Sequence, residues 1–592
     1  MCSIFGSNFI PQNKNQIANI LELRGPDSQK EFICGNFFLS HARLAIIDLN
    51  IEAIQPMSFE SLTIIFNGEI YNYKELKKDF ELHCKTSSDT EVILQLYKKL
   101  GEKCLQYLDG IFAFAIFDQE TKKIFCARDR FGKKPFYYYF KDGKFIFSSS
   151  TKAIIKALNF TPIMNTNAVS EYLQFFVPLT PNTFFENIFK LPAASQLIFE
   201  NNELKIKKYF HIKRKKTIFE ISDATLETEK SLFAAINKRL ISDSPIGSLL
   251  SGGLDSSLVG AIYSKISDQK IDFFSVGYDG YEKYDETSYA KNVANFLGGN
   301  HNILKLSQQS FEDSLENYLD IIEEPHADSS AVALNALLKI TKSQNKKVLL
   351  SGEGSDELFF GYPTVPKLYQ FWQFFNSLDS KQKQFLLLSL KSFENKSKEY
   401  EYFRRFLNNE NFYNSYGEIF NYGLKNQLLT KHKPIMLQNE IAEPLDKMAM
   451  IDFTIWLGEA LLSKIDFIGM HNHTEIRAPF LDKNVVNTAF SIDAKIRFQN
   501  HPKNIIKLIA ANHLPSEIIL RKKKAFNLPY NEWLHNIFGN KILELILEVN
   551  MHHNLFKKSF LIELFEASKN NHFRQHIWTI YIFSRWYKKI YL

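Results

Sequence analysis

Residues 246–257 run Ile246-Gly247-Ser248-Leu249-Leu250-Ser251-Gly252-Gly253-Leu254-Asp255-Ser256-Ser257. The first five make a mostly apolar run of strand length. The glycines then turn the chain, and Leu254, Leu258 and Ala261 recur on one side of a helix. Consecutive glycines let backbone N–H groups face a concave nest, the helix start adds partial positive charge, and the serine hydroxyls supply further donors. The combination is a cradle for phosphate. It is not a Walker A loop, because the G-x-x-x-x-G-K-S/T spacing and its lysine are missing.

Moving outward, Phe273 to Val276, Asn302 to Leu306 and Lys347 to Leu350 have strand character. A helix with Tyr289, Val293, Phe296 and Leu297 on one face lies between the first two. This alternation predicts a doubly wound parallel sheet. A second loop, Ser351-Gly352-Glu353-Gly354-Ser355-Asp356-Glu357, follows the last of these strands. Ligands of open α/β sheets bind outside the carboxyl ends of the strands, so both loops are expected to face one crevice. Carboxylates beside a phosphate nest repel the substrate unless a cation intervenes, and hard oxygen ligands suit Mg²⁺. Asp255 and Asp356 are the candidate metal ligands, with Glu353 left free as a base. From about 365 to 592 the pattern is long-period, aromatic-rich and expected to be helical.

The first 200 residues are different. Leu62 to Phe66, Ile111 to Phe117, Ile124 to Ala127, Phe136 to Phe140 and Phe145 to Ser148 are short strand candidates, the last two joined by an Asp142-Gly143 turn. Ser88-Asp89-Thr90-Glu91 has capping-box spacing ahead of an apolar helix face. The expectation is a layered α+β domain. Lys205 to Lys216 is basic and expected to be a solvated linker.

Lys plus Arg is 72 and Asp plus Glu 65, and the net charge of +7 is too small for a nucleic-acid footprint in 592 residues. The seven apolar residues from Ile111 to Phe117 fall far short of the roughly 18 to 20 that span a membrane, and no basic leader opens the chain, so cytoplasmic location is expected. Four of the five cysteines, Cys34, Cys84, Cys104 and Cys126, are expected to be buried thiols in a reducing compartment. Cys2 is set apart by its position. With Met1 removed it carries both a thiol and an α-amine of pKa about 7.7 to 8.0, a nucleophile and a base in one residue.

The two loops, in this order, resemble the ATP-pyrophosphatase domain of glutamine-dependent asparagine synthetases, and the N-terminus resembles that family's class II amidotransferase domain. Arg24-Gly25-Pro26-Asp27, Arg43 to Asp48, Asn67-Gly68-Glu69-Ile70-Tyr71-Asn72, Arg128-Asp129-Arg130-Phe131-Gly132, Tyr284-Asp285-Glu286, Glu475 to Asp482 and Arg521 to Phe526 carry the likeness along nearly the whole chain. The resemblance implies an N-terminal-nucleophile αββα glutaminase sandwich over 1–207, a linker over 208–224, and over 225–592 the doubly wound synthetase domain with its helical end. It implies ATP as co-substrate. It also implies an oxyanion hole from the Asn67 side chain and the Gly68 N–H, with Arg43 on the glutamine carboxylate and Glu69 and Asp89 on its amino group. Lys523 would neutralise charge at the α-phosphate. The ATP site would comprise Leu250, Ser251, Gly252, Gly253, Asp255, Ser256, Ser257, Val276, Ser351 and Gly352. A homodimer is compatible with this plan; nucleic-acid and membrane partners are not expected.

Departures from the family pattern are Ser3 for Gly, Leu23 for His, Ser150 for Glu, and Phe467 and Gly469 for Arg and Ser or Thr. The last two bear on the acceptor. The expected reaction is amidation of aspartate through β-aspartyl-AMP, with Arg477 as the alternative source of the charge that Phe467 lacks. The competing readings are a uronic acid sugar or wall-peptide carboxylate as acceptor, an adenylase acting on nucleic acid, and an inactive scaffold relative.

Overall fold

The computed structural model describes residues 2–391, 398–408, 410–431, 435, 437, 441–499, 501–521 and 528–592. In the N-terminal part, Leu62–Ile70 pairs antiparallel with Gly110–Asp118, and together with four further strands they make one six-stranded sheet. A second six-stranded sheet centres on Ser3–Ser7, paired antiparallel with Phe37–Arg43 and Lys144–Ser148. Ile65, Ala113, Ala115 and Phe117 from the first sheet pack against Ile4, Leu39 and Phe147 from the second. On the other face of the first sheet, Ile64, Phe66, Phe112 and Phe114 pack against Val92, Ile93 and Leu96 of the helix Asp89–Leu100. Both faces are covered, which is why Ile111 to Phe117 is continuously apolar rather than alternating. Each buried phenyl ring there contributes about 1.5–3 kcal/mol. The helices Lys14–Glu22 and Thr151–Leu158 close the outer face of the second sheet. This is the expected αββα sandwich.

The second half holds a five-stranded, all-parallel sheet in the spatial order Asn300–Leu306, Asp272–Tyr278, Ile246–Leu249, Val348–Leu350, Glu475–Arg477. The strand order reverses at Ile246–Leu249, so the Ser251 to Ser257 loop emerges at the switch point where such sheets bind ligands. The edge strand Glu475–Arg477 lies inside the region expected to be wholly helical. Three residues were too short a run to stand out from sequence.

Other expectations also need correction. In the helix Thr287–Phe296 the buried residues are Thr287, Ala290, Val293 and Ala294, while Tyr289 and Phe296 are exposed. Tyr289 lies out because its ring carries the Arg521 guanidinium, 4.0 Å away. Ser88 caps its helix by accepting from Thr90 N–H at 3.2 Å, but Glu91 binds the Lys85 and Thr86 backbone instead of completing a box. Of the expected linker, Glu203–Lys208 is an edge strand and Lys216 pairs with Asp446 at 2.6 Å. Cys104 and Cys126 are buried, but Cys34 and Cys84 are only partly so. Ser150 lacks the usual carboxylate, and Glu323 of the second domain supplies one there. It accepts from the Ser150 hydroxyl at 2.7 Å and the Thr151 N–H at 2.6 Å, at the start of Thr151–Leu158.

Candidate active sites

The strand Leu62–Ile70 carries Asn67, Gly68 and Glu69 past the buried Cys2. The Cys2 backbone nitrogen, which becomes the α-amine once Met1 is removed, donates to Asn67 Oδ1 at 3.3 Å. Among the described residues, Asn67 Nδ2 is buried without a hydrogen-bond partner. An unspent amide donor beside a nucleophile is what an oxyanion hole requires. A side chain at Gly68 would put Cβ 2.1 Å from the Ile111 carbonyl oxygen, so only glycine lets the strand pass there. Burial raises the Cys2 thiol above its ordinary value.

Arg43 is aimed by the loop after its strand, donating to the Asn50 carbonyl at 3.0 Å, the Ile47 carbonyl at 3.2 Å and the Asp48 carbonyl. Glu69 and Asp89 sit on opposite sides of Ile70, whose N–H donates to Asp89 Oδ2 at 2.9 Å. Burial, with Glu475 and Asp89 nearby, pushes Glu69 well above the usual carboxylate range, and burial lifts Asp89 to about 6. A nearby cation favours the charged form, so an arriving ammonium would draw both carboxyls back into ionised partners. Arg477 approaches Glu69 at 3.7 Å, but it is fully buried and committed to Glu475 at 2.5 Å and to the Arg239 and Ile241 carbonyls, both at 2.7 Å. Among the described residues its Nη2 keeps no hydrogen-bond partner.

At the switch point the two loops touch. The Ser355 hydroxyl donates to Asp255 Oδ1 at 2.6 Å, and a Cβ on Gly352 would lie 2.9 Å from Asp255 Cβ and from the Ser256 nitrogen. Inside the first loop Ser256 Oγ accepts from Ser251 N–H at 3.2 Å, Ser251 Oγ accepts from Gly253 N–H at 3.3 Å, and Gly252 adopts φ +73° against Ala290. Among the described residues, Ser257 Oγ is buried without a hydrogen-bond partner. Ser351 N–H donates to the Arg477 carbonyl at 2.9 Å, and Leu250 N–H to the Phe274 carbonyl at 2.9 Å; Val276 lies on the neighbouring strand. Among the described residues, one buried carboxylate oxygen of Glu353 has no hydrogen bond. Lys523 lies outside the described residues.

Sequence reasoning missed Lys503. Its ammonium bridges Asp255 and Asp356, 2.5 Å from Asp356 Oδ1. Burial opposes its charge, but the two carboxylates outweigh burial and raise its pKa. It stands 248 residues from Asp255, and no spacing pattern ties it to either loop. Two hard oxygen donors converging beside a phosphate nest fit Mg²⁺ shared with phosphate oxygens and water. Among the described residues, no group of three His, Cys, Asp or Glu forms a self-sufficient metal cage.

Fold and sites together define a two-domain protein, a double-sheet domain with a buried cysteine at its first strand joined to a parallel-sheet domain with a glycine-rich loop at its switch point. The chain belongs to the asparagine synthase family, whose model matches residues 227–588, and a glutamine amidotransferase domain matches residues 1–210. It is 30% identical to asparagine synthetase (glutamine-hydrolyzing) 1 of Bacillus subtilis over 97% of this chain and 93% of that protein. It is 38% identical to putative asparagine synthetase (glutamine-hydrolyzing) 2 of Methanocaldococcus jannaschii over 62% of this chain and 76% of that one. A protein named amidase chyE of Penicillium rubens is 24% identical over 89% of this chain and 86% of its own. Among the described residues, no helix is long and apolar enough to cross a membrane.

Proposed function

We propose that the chain makes asparagine from aspartate, glutamine and ATP, with a glutaminase domain over 1–207, a connecting segment over 208–224 and a synthetase domain over 225–592. With Met1 removed, the Cys2 α-amine takes the thiol proton and the thiolate attacks the side-chain amide carbon of glutamine. Asn67 Nδ2 and the Gly68 N–H receive the oxyanion, Arg43 holds the α-carboxylate, and Glu69 and Asp89 hold the α-ammonium. Ammonia leaves with the returned proton, and water then splits the thioester to glutamate.

In the second domain Ser251 to Ser257, with Leu250, Val276, Ser351 and Gly352, holds ATP. The acceptor carboxylate displaces pyrophosphate at the α-phosphorus, giving an acyl-adenylate. Lys503 offsets the charge of Asp255 and Asp356 beside the phosphates, and Lys523 is assigned to the α-phosphate. Mg²⁺ held by Asp255 and Asp356 would supply further charge neutralisation at the pyrophosphate. Glu353 accepts a proton as ammonia attacks the acyl carbon, and AMP leaves with the amide formed. Ammonia protonates in open water, so the step needs a shielded route between the domains. Glutamine, aspartate and ATP are metabolites of the cytoplasm, which supports a cytoplasmic location for the reaction.

The observation that carries the reading is the contact of the two loops through Ser355 and Asp255 at the switch point. One observation favours another acceptor. Phe467 meets His471 with ring centroids 4.4 Å apart at 42°, so an uncharged ring stands where the family usually has a guanidinium. ATP–pyrophosphate exchange across aspartate, a uronate and a wall peptide tests the assignment. Aspartate-dependent exchange at millimolar concentration is expected, and exchange on another acid alone would overturn it.

A further inference from the structure

The edge strand Glu475–Arg477 of the parallel sheet brings one side chain up to the Glu69–Asp89 site of the other domain. Arg477 is fully buried, and three of its polar contacts fix the guanidinium: Nε with Glu475 Oε1 at 2.5 Å, and Nη1 with the Arg239 and Ile241 carbonyls at 2.7 Å each. The same guanidinium lies 5.5 Å from the centre of the Tyr71 ring, which Arg239 approaches at 4.9 Å. Nη2 is left over. It faces Glu69 Oε2 across 3.7 Å, and among the described residues neither buried atom makes a hydrogen bond.

A separation of 3.7 Å is an ion-pair distance but too long for a hydrogen bond. A donor and an acceptor of opposite formal charge therefore stand about 1 Å short of a charge-assisted bond. The charge balance leaves the gap open in the ligand-free chain. Burial, Glu475 and Asp89 disfavour the charge on Glu69, while Arg477 and the amino end of the chain favour it. Arg477 also favours the charge on Asp89, so it is a side-chain cation shared by both carboxyls. An arriving α-ammonium adds a further cation on the open side of Glu69 and draws it into the ionised form. The ionised carboxylate then has a donor waiting behind it, and that donor sets its direction.

We infer that Arg477 is a positioning residue for glutamine, its Nη2 holding Glu69 Oε2 so that the Glu69 carboxylate meets the α-ammonium. The inference rests on the glutamine-site reading above and deepens it. A residue of the second domain completes the binding site of the first. The backbone carbonyl of the same residue accepts from Ser351 N–H at 2.9 Å, so one arginine touches both the glutamine site and the ATP-side loop.

The test is glutamine hydrolysis by the full-length chain in Arg477→Lys, Glu69→Gln, the two combined, and Glu475→Gln. A lysine keeps a charge beside Glu475 but has one nitrogen in place of the fork, so it does not serve Glu69 as well. Arg477→Lys should raise the KM for glutamine about tenfold with kcat nearly constant. On top of Glu69→Gln the same change should do little more, whereas a merely structural arginine would cost as much there as in the wild type. Glu475→Gln removes a like charge and a competitor for the guanidinium, so it should lower the KM severalfold, and it decides the matter if Arg477→Lys does not fold. An unchanged KM in folded Arg477→Lys, an undiminished effect of that change on top of Glu69→Gln, or a KM that does not fall in Glu475→Gln each overturns the inference and leaves the glutamine site standing. If the wild-type chain releases no glutamate from glutamine, the glutamine-site reading falls with it.

Discussion

Arg24 and Asp466, 442 residues apart, meet at 2.6 Å with both side chains buried, and Lys134 joins the same carboxylate at 2.8 Å. Arg24 and Lys134 belong to the glutaminase domain and Asp466 to the synthetase domain, so one carboxylate ties the two together. Burial alone would raise the Asp466 pKa, but the two cations hold it down to about 2. Asp466→Asn leaves two buried cations without their anion and should cost about 3–5 kcal/mol in a urea melt. A depressed acid stabilises the fold above its unfolded value of about 3.9. In wild type this contribution should therefore be complete above about pH 5 and fade as the pH falls from about 4 to about 2, while Asp466→Asn shows a flatter acid limb.

Cys2→Ala should abolish glutamine-dependent synthesis while ammonia-dependent synthesis continues, because only the first site needs the thiolate. Parallel assays with the two nitrogen sources check this, and loss of both activities together would sink the two-site reading.

Glutamine binding should weaken in acid. The α-ammonium needs ionised partners, and Asp89, lifted by burial to about 6, takes up its proton as the pH falls through that value. Calorimetric titration of glutamine into Cys2→Ala should show an affinity dropping about tenfold per pH unit below 6 for this one group. A flat profile between pH 5 and 7 would remove Asp89 from the ammonium site.

Asp255→Asn and Asp356→Asn should each lose pyrophosphate release and keep glutamine hydrolysis. Each variant also removes a counterion of Lys503, so Asp356→Asn should lower stability in the ligand-free protein, where the ammonium rests against that carboxylate at 2.5 Å. Pyrophosphate release at the wild-type rate from either variant would refute its assignment.

Gly469→Ser, a change toward the usual residue, should destabilise this chain by about 1–3 kcal/mol, because the added Cβ would lie 2.6 Å from the Thr474 carbonyl oxygen. A thermal melt reads this directly. A neutral or stabilising result would show that the Asn472–Thr474 turn yields.

What the sequence by itself determined is local in origin. The apolar run into Ser251 to Ser257 specified a strand, a nest and a helix, because periodicity and paired glycines act over a dozen residues. The seven apolar residues from Ile111 to Phe117 specified a strand covered on both faces, as it is by the second sheet and by Asp89–Leu100. The Ser355–Asp255 contact followed from a rule about where parallel sheets bind ligands. Tertiary structure alone decided what depends on through-space charge. Lys503 between two aspartates, Glu323 at the helix start that Ser150 leaves without a carboxylate, and Arg477 spent on Glu475 are joined by no sequence spacing. Burial sets the cost of a charge, and burial is a property of the assembled chain.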